Sequence, residues 1–173
     1  PGRVSSGVAE RRARIWVVGD EEGMREGCRR ILASEGHEVT TAENGEQVLA
    51  MMAPGAFDLA LVDLKMQGIS GLELLPRLRA VDPKLVCVMV TAYATLETAV
   101  AATKNGAYDY LAKPFIPDEL TAVVNKALER HRLSVEAARL REERERSLLL
   151  LASEQSRTRT IVQSMADGLL VTN

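Results

Sequence analysis

The chain has 173 residues, enough for one domain with a buried core and an additional segment. Its 22 Lys and Arg residues nearly balance 24 Asp and Glu residues, and the net charge of -2 gives no general attraction to nucleic acid. Hydrophobic residues make up 46% of the chain, but its aliphatic runs are far shorter than the roughly 20 residues of a membrane span. We therefore expect this segment to bind neither nucleic acid nor membranes.

The two cysteines, Cys28 and Cys87, have apolar neighbours and lack the spacing of a metal site. Unpaired cysteines of this kind are typical of a reducing compartment, and no signal-peptide pattern opens the chain. We therefore expect a cytoplasmic location. Because the chain starts without Met and stops at Asn173 just after a strand-like run, we also expect it to be part of a longer protein.

The predicted elements alternate along the chain. Residues 1–13 show no apolar periodicity and are predicted to be disordered. Helical patterns separate the strands that follow; Gly36 is placed to end the first helix, and Ser70 and Thr95 are placed to cap the third and fourth. This alternation predicts right-handed crossovers and a doubly wound parallel α/β sheet. Its five strands are predicted at 15–18, 39–42, 59–62, 85–91 and 108–112.

Polar residues stand at the ends of four predicted strands, namely Asp20, Asp63, Thr91 and Lys113. Ligands of open α/β sheets bind beyond the carboxyl ends of the strands, so these groups are expected to meet. Asp63 ends a strand that reads as buried on both faces. Taken alone, it fits equally well an acid that only caps a strand. The other three strand ends favour a site.

This combination of groups suits phosphoryl chemistry. Two carboxylates held together repel each other, and a hard divalent cation such as Mg²⁺ relieves that repulsion. A lysine and a hydroxyl beside them suit the oxygens of a phosphoryl group. A central carboxylate, here Asp63, can then act as a nucleophile and form an acyl phosphate.

Two competing kinds of site fail on the same residues. A phosphatase of the haloacid dehalogenase type needs a second Asp two positions after its nucleophile, where this chain has Lys65. A dinucleotide site needs a glycine-rich turn after the first strand, but residues 19–23 read GDEEG and place carboxylates where a pyrophosphate would lie. We therefore expect neither a phosphatase of this type nor a dinucleotide-binding site.

Four motifs together resemble the receiver domain of bacterial two-component response regulators, over residues 14–130. They read VVGDEE at 17–22, LVDLKMQGISGLELL at 61–75, VMVTAYAT at 88–95 and GAYDYLAKPF at 106–115. The resemblance implies a flavodoxin-like sheet of order 2-1-3-4-5. It also implies a histidine kinase or a phosphotransfer protein as phosphodonor, and Mg²⁺ as cofactor.

The resemblance also implies roles for individual residues. Asp63 would be the phosphoacceptor, and Mg²⁺ would be held by Asp20, by Asp63 and by the backbone carbonyl of Lys65. Such a receiver phosphorylates and dephosphorylates itself at this aspartate.

The resemblance implies a switch as well. Thr91 would hydrogen-bond the phosphoryl group, Lys113 would pair with it, and Tyr110 would turn inward when Thr91 moves. The peptide bond between Lys113 and Pro114 would be cis.

Two positions depart from the family pattern. Gly19 stands where the family usually has the first of two acids, so metal affinity is in question. Glu21 could compensate, although a residue at this place more often faces the helix start. Gln67 replaces a common proline without removing any reactive group. Gly19 is the main support for the alternative function, a degenerate receiver that takes no phosphate and serves as a dimerisation or docking module.

The two histidines, His37 and His131, are isolated in the sequence. His131 is followed by Arg-Leu rather than by the Glu-Leu or Glu-Ile that usually follows a phosphorylated histidine. Both are predicted to be surface residues without a role in the chemistry.

A long helical pattern follows Asp118. Residues 131–166 are predicted to form a signalling helix that dimerises as a coiled coil, because its apolar face is narrow and too long for the receiver to cover. The face consists of Val135, Ala138, Leu151, Thr158, Val162 and Met165.

The last residues suggest what the helix leads to. The stretch IVQSMADGLLVTN at 161–173 resembles the entry into a PAS domain, with a helix break at Asp167-Gly168 and the start of that domain over 167–173. The parent protein is then expected to be a PAS-containing histidine kinase or a cyclic-dinucleotide enzyme. A DNA-binding regulator would need a helix-turn-helix or ATPase domain, which this tail does not begin.

Overall fold

The structure, a computed structural model, describes residues 12–170, without the side chains of residues 169 and 170. Most of the segment predicted to be disordered, residues 1–11, lies outside this range. Ala13, at its end, is buried, and its carbonyl accepts a hydrogen bond from the Glu38 N–H at 2.8 Å.

Five parallel strands form one sheet in the order β2-β1-β3-β4-β5. The predicted doubly wound α/β fold and its strand order are therefore confirmed. β3 lies at the centre, and all of its residues are buried. The strands are β1 Arg14–Val18, β2 Glu38–Ala42, β3 Leu59–Asp63, β4 Val86–Thr91 and β5 Asp109–Ala112.

Helices cover both faces of this sheet. Because side chains alternate along a strand, Ile15 and Val17 point into one core cluster and Trp16 and Val18 into the other. The first cluster is closed by the first and last helices, and the second by the three helices between them. The helices are α1 Glu22–Ser34, α2 Gly45–Met51, α3 Gly71–Val81, α4 Leu96–Lys104 and α5 Pro117–Leu170.

The predicted helix signals act where the sequence places them. Ser70 caps α3 and Thr95 caps α4, each through a reciprocal capping box. Gly36, after α1, has a φ of +91°, which favours glycine. Ser70 and Thr95 thus fix where α3 and α4 begin, and Gly36 lies in the turn that follows α1.

Neither histidine is the isolated surface residue that was predicted. The Nδ1 atom of His37 accepts a hydrogen bond from the Ala13 N–H at 3.3 Å. His131, in α5, is 16% exposed and lies 3.2 Å from Asp58, a residue far away in sequence. Local sequence therefore gave no sign of either contact.

The chain divides at Arg132 into two compact units. In the unit that begins at Leu133, α5 continues through Asp167 and Gly168 to Leu170, so the predicted helix break there is wrong. Residues 171–173 lie outside the described range. None of the helices in the described part of the chain combines the length and hydropathy that a membrane crossing requires.

Candidate functional site

The four predicted strand-end groups meet at the carboxyl edge of the sheet. Asp63 and Thr91 are the last residues of neighbouring strands, and Asp20 and Lys113 follow β1 and β5. Together they line an open pocket of about 860 Å³. The other lining residues are Glu21, Glu43, Asn44, Glu46, Lys65, Gln67, Gly68, Ala92 and Tyr93.

Asp63 lies at the base of this pocket and is only 3% exposed. Its Oδ2 atom accepts a hydrogen bond from Lys113 Nζ at 2.8 Å, and its Oδ1 atom accepts one from the Lys65 N–H at 3.3 Å. A buried carboxylate requires such partners, because an unpaired buried charge is costly. Asp63 is thus held as a charged, oriented group within reach of the pocket.

Lys113 is the cationic partner of the site. Its ammonium group lies 2.8 Å from Asp63 and 3.5 Å from Glu21, and its side chain is 16% exposed. Burial by itself lowers the pKa of Lys113, but the hydrogen bond and charge of Asp63 and the charge of Glu21 outweigh it and leave the pKa above its ordinary value. Lys113 therefore stays protonated over the whole neutral range.

Three carboxylates are grouped in this pocket, and two of them pair with Lys113. Oxygen atoms of Asp20, Glu21 and Asp63 all lie within 4.8 Å of one another. Asp20 and Glu21 are exposed, whereas Asp63 is buried. Hard cations such as Mg²⁺ prefer oxygen ligands and keep several waters when they bind to a few carboxylates. This set of donors fits Mg²⁺, and it contains Asp20 and Asp63, two of the three ligands that the resemblance implied.

A glycine lets the loop after Asp63 close tightly. A Cβ atom on Gly71 would overlap the Asp63 carbonyl oxygen and would lie 2.7 Å from Met89 Cε and 3.0 Å from Leu64 Cα. The Gly71 N–H donates a hydrogen bond to the Leu64 carbonyl at 3.0 Å. The start of α3 is thereby packed directly under the strand end that carries Asp63.

The ends of β4 and β5 are joined through Thr91. The Thr91 carbonyl accepts a hydrogen bond from the Lys113 N–H at 2.7 Å, and its Oγ1 atom accepts one from the Tyr93 N–H at 3.0 Å. Thr91 is 4% exposed and its hydroxyl proton can still be donated. The peptide bond between Lys113 and Pro114 is cis, as the resemblance implied.

Of the remaining predicted residues, Lys65 lines the pocket and Tyr110 does not. Tyr110 is 42% exposed, on the surface of β5. Lys65 is exposed, and its ammonium group lies 3.9 Å from the centre of the Tyr93 ring, a cation–π contact. Gln67 also lines the pocket.

At Gly19 the chain has no acid, and another side chain uses the space. A Cβ atom at this position would overlap the methyl group of Met24 and would lie 3.3 Å from Asp63 Cβ. The Gly19 carbonyl accepts a hydrogen bond from Arg25 Nη1 at 2.6 Å, which holds the turn after β1. The sequence assigned no part in the site to Met24, Arg25 or Tyr93, because each reaches it through contacts that no local motif encodes.

The fold and the site together define an α/β protein with an acidic pocket, a lysine and a hydroxyl at the carboxyl edge of its sheet. Residues 15–125 match the family described as "Response regulator receiver domain". The chain belongs to this family.

Curated relatives are similar to this chain only over part of their length. The DNA-binding transcriptional regulator NtrC of Salmonella typhimurium is 42% identical over 114 residues, which are 66% of this chain and 24% of NtrC. The alginate biosynthesis transcriptional regulatory protein AlgB of Pseudomonas aeruginosa is 36% identical over 136 residues, 79% of this chain and 30% of AlgB. The chain thus spans about a quarter of the length of such relatives.

Solved structures share the fold. A CheY-like response regulator receiver domain protein from Methanospirillum hungatei is 32% identical with a TM-score of 0.67, covering 71% of this chain and 98% of that one. NtrX from Brucella abortus, in complex with ADP, is 38% identical with a TM-score of 0.69, covering 75% of this chain and 30% of that one.

Proposed function

We propose that this receiver takes a phosphoryl group on Asp63 and passes the resulting signal to α5. The observation that carries the proposal is the environment of Asp63, a buried carboxylate bonded to Lys113 at 2.8 Å and grouped with two further carboxylates. Phosphorylation of an aspartate is general to the family. The donor is a histidine kinase or a phosphotransfer protein.

The transfer itself needs one nucleophile and a cationic surrounding. A carboxylate oxygen of Asp63 attacks phosphorus and forms a new O–P bond, while the bond from phosphorus to the donor breaks and the leaving group keeps its electron pair. When the donor is phosphohistidine, the departing imidazole nitrogen takes up a proton. The product is an acyl phosphate on Asp63.

The surrounding residues divide the remaining work. Mg²⁺, held by Asp20, Asp63 and the backbone carbonyl of Lys65, would neutralise charge on the phosphoryl oxygens. The Lys113 ammonium pairs with the same oxygens, and the Thr91 hydroxyl donates a hydrogen bond to one of them. When Thr91 moves to make that bond, Tyr110 turns from its exposed position towards the space that Thr91 leaves.

The signal continues into the helix beyond Arg132, which we assign to dimerisation. Large apolar side chains of this segment are exposed, including Leu148 to Leu151, Ile161, Val162 and Met165. Consecutive helical residues lie about 100° apart, so the four leucines cover most of the helix circumference, more than a solvated single helix would present. A parallel coiled-coil dimer buries part of this surface and would transmit a change in the receiver to a further domain.

Three kinds of parent protein are candidates. The resemblance of residues 161–173 to a PAS entry favours a PAS-containing histidine kinase or a cyclic-dinucleotide enzyme. Similarity of the receiver to NtrC and AlgB favours a transcriptional regulator instead. The gene sequence that follows the codon for Asn173 distinguishes them.

The two free and buried cysteines fit a reducing compartment, the cytoplasm.

The degenerate receiver is the second candidate function, and Gly19 favours it. Beryllofluoride, a stable mimic of the acyl phosphate, separates the two. A receiver active at Asp63 should bind it with Mg²⁺, giving a bound ¹⁹F resonance that is absent from Asp63→Asn. If wild type and Asp63→Asn both lack this resonance at millimolar Mg²⁺, the chain is a docking module.

A further inference from the structure

We propose that Glu21 supplies the third carboxylate of the cation site and that Met24 fills the space beside Gly19, where an acid is missing. This inference rests on the proposed function, because it concerns the Mg²⁺ that phosphorylation requires. Glu21 is not one of the two acids of the family pattern. Here it would replace the acid that is missing at position 19.

The backbone explains why Glu21 faces the site. Glu21 is the N-cap residue of α1, and its φ of -83° and ψ of 113° are extended rather than helical. Its side chain makes no capping hydrogen bond. It reaches instead across the pocket to Lys113, at 3.5 Å, and lies within 4.8 Å of the Asp20 and Asp63 carboxylates.

The local charge balance leaves room for a divalent cation. Three carboxylates and the protonated Lys113 leave two negative charges, which one Mg²⁺ would neutralise. Lys113 already pairs with buried Asp63 at 2.8 Å, so the longer contact to the 69% exposed Glu21 is the weaker one. Glu21 can therefore turn to the ion, or to a water bound to it, without breaking the shorter pair between Lys113 and Asp63.

Met24 fills the space that a side chain at position 19 would enter. Its methyl group occupies the place of a Cβ atom on Gly19, so a side chain there requires Met24 to move. Met24 also packs against the core cluster under α1, and its sulfur lies 3.8 Å from Cys28 Sγ. Met24 thus occupies the space at Gly19, and Glu21 supplies the carboxylate that position 19 lacks.

The test compares Mg²⁺ affinities measured by isothermal titration calorimetry. Glu21→Gln should weaken Mg²⁺ binding by roughly ten- to a hundredfold, as is typical when a carboxylate next to a metal is removed. Glu22→Gln is the matched control, because Glu22 is the neighbouring exposed acid, carries the same charge and does not line the pocket. Its affinity should stay within about twofold of wild type, since an exposed charge outside the pocket is screened.

A rescue experiment tests the coupling. In the Glu21→Gln background, Gly19→Asp together with Met24→Ala should recover most of the lost affinity, whereas Gly19→Asp alone should recover less. Thermal melts confirm that each variant is folded. Equal Mg²⁺ affinity for wild type and Glu21→Gln overturns the inference and leaves the proposed function intact. If wild type itself binds no Mg²⁺ at millimolar concentration, the proposed metal site fails as well.

Discussion

His131 Nε2 lies 3.2 Å from Asp58 Oδ1, while the other ring nitrogen, Nδ1, lies 2.8 Å from the Lys84 carbonyl oxygen. Both partners are only acceptors, so both ring nitrogens must donate, which requires the protonated imidazolium. Arg14 donates to the same carboxylate through its backbone N–H at 2.8 Å. This cluster ties α5 to the opposite edge of the sheet from Asp63.

The pKa values follow from this geometry. The hydrogen bond to Asp58 raises the pKa of His131 above its ordinary value of 6.5, despite burial, and the Lys84 carbonyl and the charge of Asp82 act in the same direction. Burial on its own raises the pKa of Asp58, but hydrogen bonds from His131 and Arg14 outweigh it and lower the pKa from 3.8 to about 2.

The first prediction is a pH-dependent stability. The His131 contribution is complete below about pH 6.5 and is lost as pH rises through its raised pKa. The Asp58 contribution is present above pH 3.8 and is lost as pH falls towards 2. In urea unfolding, His131→Ala should lower the free energy of unfolding by about 1 to 3 kcal/mol at pH 6 and by less at pH 9.

Lys126→Ala is the control for this prediction, because Lys126 is on the same helix, its side chain is 67% exposed and its 3.8 Å ion pair with Asp109 is a weak surface contact. It should change the free energy of unfolding by less than about 0.5 kcal/mol at either pH. An equal loss for His131→Ala at pH 6 and pH 9 would contradict a charged His131.

The second prediction concerns Gly71. Gly71→Ala places a methyl group against the Asp63 carbonyl and the Leu64 backbone, neither of which can move without displacing β3. It should lower the free energy of unfolding by about 2 kcal/mol or more and reduce phosphorylation at Asp63. Circular dichroism melts and a phosphorylation assay measure the two effects.

Gly27→Ala is the matched control for Gly71→Ala. A Cβ atom on Gly27, within α1, meets nothing within 4 Å. Because alanine favours a helix over glycine, this variant should raise the free energy of unfolding by about 0.5 to 1 kcal/mol. Similar stabilities for the two variants would show that the tight approach at Gly71 does not matter.

The third prediction tests dimerisation through the tail. The full chain should be a dimer by multi-angle light scattering, and truncation after Arg132 should give a monomer. Leu151→Asp should weaken the dimer, because a charge at a helix seam loses its hydration on pairing. Arg157→Ala serves as the control, because this exposed residue lies about 140° around the helix from Val162, and it should leave the dimer unchanged. A full chain that is monomeric at high micromolar concentration would refute the proposal.

Much of the fold followed from the sequence because its signals are local. Short apolar runs such as residues 59–62, bounded by helical patterns, are typical of buried strands, and Ser70 caps a helix through contacts within four residues. The site followed for a topological reason. Asp63 and Lys113 are 50 residues apart, yet both stand at carboxyl ends of parallel strands, which must share one edge.

The features that the sequence did not predict depend on contacts between residues whose proximity neither local sequence nor strand topology indicates. His131 is on a helix and Asp58 precedes a strand, so no pattern joins them before the chain is folded. The sequence allowed Glu21 to compensate for Gly19 but could not decide the direction of its side chain, which depends on an extended N-cap backbone. The position of Met24 depends on the space that Gly19 leaves. The helix through Gly168 shows the same limit, since a glycine can be accommodated within a helix when its neighbours favour one.

The central claim is that Asp63 accepts a phosphoryl group, and intact-mass spectrometry tests it most directly. After incubation with acetyl phosphate and Mg²⁺, the wild-type chain should gain the mass of one phosphoryl group. Asp63→Asn should gain none, and chelation of Mg²⁺ with EDTA should suppress the gain in wild type. An unchanged wild-type mass at millimolar Mg²⁺, or an equal gain in Asp63→Asn, would contradict the assignment of Asp63 as the phosphoacceptor.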